Sequence, residues 1–317
     1  MSRSYELKPA RRASGRSDRW LPCVAVNSTP AVSVVIPLYN AAATIGAQLD
    51  ALAAQTATGF EVVVADNGSA DRGAEIARQH PIGAVVVDAG GVRGPSHARN
   101  VGSAMGGGDV LLYCDADDIV DRRWVEKLAA GLADSDLAGG SLELRRLNPS
   151  NGAWGVVDVN PMTRKPMPWF PSGNFGIRHA VLDDLGGWDE SLLAAEEADL
   201  CWRAQLAGKS LRFEPAAVVH YRLSPSALVH VRKQYHYGRS VAVAQACRPE
   251  LPLPTGGAPW RAAFGALRHP PQLRRSDAVC WAASTAFAVG RAGAASRAQR
   301  TRQQAVSAPI VGAGAAL

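Results

Sequence analysis

Residues 115–118 read Asp-Ala-Asp-Asp, placing three carboxylates in four positions directly after the apolar run Val-Leu-Leu-Tyr-Cys at 110–114. Charges this close repel one another and lose hydration on burial, so they need solvent, a helix N-terminus or a cation between them. At the end of a strand, Asp115 and Asp117 fall on one side. Hard oxygen ligands at that spacing suit Mg2+ or Mn2+, whose coordination is completed by water and substrate phosphates. An EF-hand loop would need a ligand at 119 and glycine at 120, where Ile119 and Val120 stand. Capping of the following helix would use Asp117 or Asp118 and leave the other carboxylates unexplained.

A second acidic group, Glu196-Glu197-Ala198-Asp199, opens a segment with helical spacing. A carboxylate there can serve as a general base, and acidic residues also favour the positive end of a helix. Asp66-Asn67-Gly68-Ser69 ends another apolar run, and its last three residues also make an ordinary turn and cap. Neither G-x-G-x-x-G opening a helix nor G-x-x-x-x-G-K-[ST] is present, so dinucleotide and P-loop readings lack their phosphate cradle.

These residues need elements to hold them. The runs at 32–37, 61–66, 84–88 and 110–114 are continuous and rich in valine, as strands covered on both faces are. Between and after them, residues 42–55, 71–79, 95–105 and 122–132 carry helical spacing, the third opened by Pro95. Strands alternating with helices predict an α/β fold around a mostly parallel twisted sheet. In such sheets ligands bind beyond the carboxyl ends of the strands, and here those ends carry Pro37–Asn40, Asp66–Ser69, Asp88 and Asp115–Asp118. Past 137 the pattern loosens, then residues 194–208 predict a helix and 211–222 a final extended pair.

The overall charge of +6 hides an asymmetry: residues 1–30 are net +4, 31–221 net −9 and 222–317 net +11. A basic tail of this kind suits an anionic surface such as a membrane. Nucleic acid is disfavoured, since the tail is poor in aromatic residues and holds no recognised reader motif. The five cysteines are far apart with no C-x-x-C pair, which fits a reducing compartment. The first twenty residues lack an apolar stretch, and the uncharged segment Val24–Leu49 is broken by Pro30, Pro37 and Asn40. A cytoplasmic chain is expected, with a disordered basic N-terminus (1–30), a catalytic domain (31–222) and a basic helical C-terminal region (223–317).

The segments VSVVIPLYNAAATIGAQLDALAAQT, EVVVADNGSADRGAEIA, GPSHARNVGSAMGGGDVLLYCDADD and EEADLCWRAQLAGKSLRFEPAAVVHYR together resemble the family 2 glycosyltransferases of the GT-A fold, across residues 31–222. The resemblance implies an inverting transfer of sugar from a nucleotide-diphosphate donor to an acceptor hydroxyl, with Mg2+ or Mn2+ as cofactor. On the donor side it implies that Pro37, Tyr39 and Asn40 pack against the nucleotide, Asp66 and Asn67 meet the base, and Arg99 lies near the phosphates. Asp115 would meet ribose or metal, with Asp117 and His220 on the metal. Relatives carry Glu-Asp where this chain has Glu196-Glu197; Glu197 is expected to be the base, with Glu196 as the alternative. Segment 172–190 looks like the acceptor-side loop, with Trp188 offering a face for a sugar and Asp199 a contact to the acceptor. That acceptor is expected to be a glycan or lipid-linked molecule of the cell envelope, met at the inner face of the plasma membrane through the tail. A phosphatase of the haloacid-dehalogenase type is disfavoured, because its Asp-x-Asp lies in the first strand. A non-catalytic nucleotide-sugar-binding protein is the rival reading.

Overall fold

The computed structural model describes residues 31–149, 161–164, 167–192, 194–224, 226–248, 250–251 and 281–295. The N-terminus expected to be disordered and most of the tail past 251 lie outside the described residues.

The first half follows the sequence pattern closely. Strands β1 (Val32–Leu38), β2 (Phe60–Asp66), β3 (Val85–Asp88) and β4 (Val110–Cys114) alternate with helices α1 (Ile45–Ala53), α2 (Gly73–Gln79) and α3 (Pro95–Met105). All pairings among these strands are parallel. The register sets Leu38 opposite Asp66 and Asp66 opposite Asp88, so the polar strand ends collect along one rim. Alternate residues of β1 serve opposite faces. Val34 and Ile36 pack against α1 residues Ile45, Leu49 and Leu52, whereas Val35 joins the other face with Leu111 and Tyr113.

The second half departs from a simple winding. β5 (Ile119–Val120), α4 (Trp124–Gly131) and β6 (Leu137–Glu143) are followed by β7 (Asn174–Arg178), α5 (His179–Asp184), α6 (Glu196–Leu206) and β8 (Leu211–His220). The sheet runs β3-β2-β1-β4-β7-β6-β8-β5. β7 enters antiparallel between β4 and β6, although its sequence sits in a segment read as a loop. The expected extended pair at 211–222 is one strand, β8, parallel to β6 and antiparallel to β5. Its register jumps from Gly140 opposite Glu214 to Ser141 opposite Val218. Pro215, which lacks a ladder donor, falls in the extra residues.

Asn174 locks this junction. Fully buried, its amide donates to the carbonyls of Ser141 (2.8 Å) and Ala217 (2.9 Å) and accepts from the Trp124 indole (2.8 Å). Gly140 lies against the same amide, and a Cβ there would stand 1.9 Å from the Ala217 oxygen.

Helix α7 (Ala227–Ala246) packs onto the second half of the fold: Val241, Ala244 and Leu251 share an apolar cluster with Ala198 and Trp202 of α6. A last helix, α8 (281–295), crosses α7 at backbone distance, since a Cβ on Gly238 would meet the Phe287 carbonyl oxygen at 2.0 Å. No helix among the described residues is long and apolar enough to cross a membrane.

Gly140→Ala has no room for its methyl group. It is expected to lower unfolding stability by roughly 1–3 kcal/mol, read as a lower urea midpoint at unchanged slope.

Candidate active site

The rim of the sheet opens into a cleft of about 1160 Å3, and behind it lies a chamber of about 250 Å3. Asp115, Ser172, Glu197, Lys233 and Tyr237 line both.

The acidic loop between β4 and β5 is held from below by α1. The buried Gln48 donates to the Asp115 carbonyl (3.2 Å) and accepts from the Val120 N–H (3.0 Å). Carboxylate oxygens of Asp115, Asp117 and Asp118 lie within 4.8 Å of one another. Neither Asp117 nor Asp118 caps the next helix, which starts only at Trp124. Asp118 is 1 % exposed; its Oδ1 accepts the Arg222 N–H (2.7 Å) and its Oδ2 has no partner. Burial, then the charges of Asp115 and Asp117, push the Asp118 carboxyl well above the usual range. The Asp117 carboxyl is also pushed up, by its crowded surroundings and then by Asp115, although its side chain keeps an exposed face, and Lys233 and Arg222 act against the shift. A buried oxygen without a partner beside crowded carboxylates makes a site at which a positive charge would be favourable. This oxygen-only set fits a hard divalent cation. Gly173 keeps the wall close, as a Cβ there would lie 2.6 Å from Asp115 Oδ2.

Arg99 is the hub beside this cluster. Only 3 % exposed, it pairs with Asp115 (3.2 Å) and Glu196 (2.8 Å) and donates to the Ser172 hydroxyl (2.9 Å). Its guanidinium lies over the Trp188 ring at 5.0 Å. Burial alone would lower its pKa, but Asp115, Glu196 and Glu197 outweigh that and hold it above its usual value. Arg99 lines the cleft with its guanidinium already paired to two carboxylates.

The two adjacent glutamates separate. Glu196, 5 % exposed, is tied to Arg99, whereas Glu197 faces both cavities. Burial and the neighbouring Glu196 push the Glu197 carboxyl up to about 8. Ala195, just before them, holds a left-handed φ of 65°, and Asn40 on the opposite lip one of 50°. Non-glycine residues in this region are strained and tend to cluster at functional sites.

Pro37, Tyr39, Asn40 and Asn67 all line the cleft. The phenol of Tyr39 accepts a hydrogen bond from Arg93, which also stacks over its ring. The Asn67 amide, however, is spent on Ala89, Val92 and Gly94, so it shapes the neighbouring loop instead of presenting its amide to a base. Asp66 accepts from the Ser69 N–H and does not line the cleft.

Three further expectations are corrected. Trp188 is 2 % exposed and packed edge-on to Tyr113 and Phe175, so no sugar can stack on it. Asp199 is fully buried and paired with Arg203 (2.8 Å) and Arg248, leaving nothing for an acceptor. His220 lies 2.8 Å from Glu143 through Nδ1 and stays outside the acidic cluster, because β8 turns it toward β6.

Sequence reasoning missed Gln48, Ser172, Lys233 and Tyr237. Buried glutamine and the i, i+4 pair on α7 carry no local signature, while Ser172-Gly173 had a faint one in the loop assigned to the acceptor side.

Comparison with known proteins bears on this geometry. The sequence pattern of glycosyl transferase family 2 matches residues 33–186. The pre-mycofactocin glycosyltransferase of Mycobacterium tuberculosis is 28 % identical over 246 residues, covering 72 % of this chain and 51 % of that protein. This chain thus spans about half the length of that relative. The uncharacterized glycosyltransferase EpsJ of Bacillus subtilis is 32 % identical over 267 residues, covering 71 % of this chain and 77 % of its own. Among solved structures, the mannosyltransferase of Pyrobaculum calidifontis in complex with GDP-Man and Mn2+ superposes with a TM-score of 0.57 at 21 % identity. It covers 89 % of this chain and 82 % of that chain, which establishes the shared GT-A fold. With the family pattern on the sheet that carries the rim, and a relative matched over most of its length, the chain belongs to glycosyl transferase family 2.

Proposed function

We propose that the chain transfers a sugar, with inversion, from a nucleotide diphosphate to an acceptor hydroxyl. The observation that carries this reading is the position of Glu197, which together with Asp115 lines both the cleft and the chamber. A nucleotide enters the cleft along Pro37, Tyr39 and Asn40, and its diphosphate lies toward Asp115, Asp117, Lys233 and Arg222. Asp115, Asp117 and Asp118 would hold Mg2+ or Mn2+, which when bound offsets charge on the diphosphate. The Pyrobaculum relative was solved with Mn2+ and GDP-Man, which supports that assignment.

The chain's own residues do the rest. Glu197 accepts the acceptor's hydroxyl proton, and the oxygen attacks the anomeric carbon from the face opposite the departing diphosphate. Arg99 ties down Asp115 and Glu196 by ion pairing, which leaves Glu197 as the carboxylate that meets the acceptor hydroxyl. Lys233, on α7, adds positive charge beside the acidic loop where the diphosphate would lie. The expected membrane contact through 223–317 falls mostly outside the described residues.

Three outcomes follow. Glu197→Gln is expected to cut turnover by about 10²–10⁴ while nucleotide binding persists, whereas Glu196→Gln disturbs the Arg99 pair and weakens stability as well. Nucleotide binding without any turnover in the wild type would support the binding-protein rival instead. Because the Glu197 proton is lost only as pH rises through about 8, kcat/KM is expected to climb with pH up to that region and then level. Asp117→Ala is expected to abolish the extra thermal stabilisation that Mn2+ gives with UDP, GDP or dTDP in a melting assay.

A further inference from the structure

The chamber behind the cleft is not shaped for a sugar chain. Its volume of about 250 Å3 lies just below the range of roughly 300–1,000 Å3 in which drug-sized ligands sit. Its walls come from separate parts of the fold: Leu144 beyond β6, Trp169 before β7, Tyr221 after β8, Tyr237 and Val241 on α7, and Phe287 on α8. The α7–α8 crossing at Gly238 brings Phe287 within reach of the chamber. Four of these six side chains are aromatic, and burial pushes the Tyr221 and Tyr237 phenols upward, keeping them neutral. Arg164 lies over the Trp169 ring at 3.7 Å and donates to the Trp169 carbonyl (3.1 Å), bracing that wall. Arg164, Glu197, Lys233 and Gln234 also line the chamber and can hold the polar end of a ligand, while its small volume and aromatic walls suit one flat apolar ring better than a run of sugar units.

We propose that this chamber is the acceptor site and takes a small alcohol with a flat, apolar ring body, in place of the glycan or lipid-linked acceptor that the family resemblance suggested. The inference rests on the glycosyl-transfer reading and adds the acceptor class. The ring lies between Trp169, Tyr237 and Phe287, and its hydroxyl reaches the shared wall at Glu197. Glu197 takes the hydroxyl proton as the oxygen forms its bond to the anomeric carbon. The bond from that carbon to the diphosphate breaks, and the nucleoside diphosphate leaves with the electron pair.

The test uses the full chain with Mn2+ and UDP or GDP, and two probes, 2-(4-hydroxyphenyl)ethanol and maltotriose, followed by saturation-transfer NMR and calorimetry. The ring alcohol is expected to bind saturably and maltotriose not to bind. Val241→Trp fills the chamber without lining the cleft and is expected to weaken the alcohol at least tenfold while the nucleotide-induced melting shift persists. Phe287→Ala, which shrinks a side chain and so guards against misfolding of the first variant, is expected to weaken it about tenfold. Saturable maltotriose binding without alcohol binding, or alcohol binding unchanged in both variants, overturns the acceptor class. Absence of any nucleotide-induced shift in the wild type overturns the glycosyl-transfer reading instead.

Discussion

The site depends on one buried cation. Arg99 comes from α3, yet its guanidinium joins the end of β4 through Asp115, the start of α6 through Glu196 and the 171–173 loop through Ser172. An isolated charge at that depth would be strongly disfavoured, and breaking a buried pair from one side leaves the other charge uncompensated. The pairing therefore fixes three otherwise separate segments in one arrangement. It also separates the neighbouring glutamates: Glu196 is ion-paired with Arg99, whereas burial and the adjacent Glu196 raise the Glu197 carboxyl more than Arg99 and Arg164 lower it.

Around this hub the protein uses hidden polar groups as rivets. Gln48 fastens the acidic loop to α1, and Asn174 fastens β6, β7 and β8 to one another and to α4. The buried pairing of Asp199 with Arg203 and Arg248 does the same for α6 and the segment after α7. Each sits where strands change direction or a helix must return to the sheet. Regular backbone hydrogen bonding runs out at such places, and side chains satisfy the groups left over.

How much of this could be read from the chain varies with the kind of signal. The parallel half was legible because Val34, Ile36, Val63 and Val64 belong to continuous apolar runs ending in polar rim residues. Asp115 and Asp117 were legible for the same reason, since three carboxylates after a buried strand demand an explanation. β7 was not, because Asn174–Arg178 is short and follows a proline- and tryptophan-rich stretch with no clear period. Trp188 looked like a surface for sugar and Asp199 like a free acid. A single residue type carries no record of the partner that covers it, and those partners, Tyr113 and Arg248, are distant in sequence. Lys233 and Tyr237 were invisible for a related reason: only the packing of α7 on α6 brings them to the site.

That packing also ties the two cavities together energetically. Lys233 and Tyr237 stand in a partition with one face toward each compartment. Whatever displaces α7 from one side alters the fit on the other, and linkage makes the effect reciprocal. By whatever factor occupancy of the larger compartment tightens the smaller, occupancy of the smaller must tighten the larger.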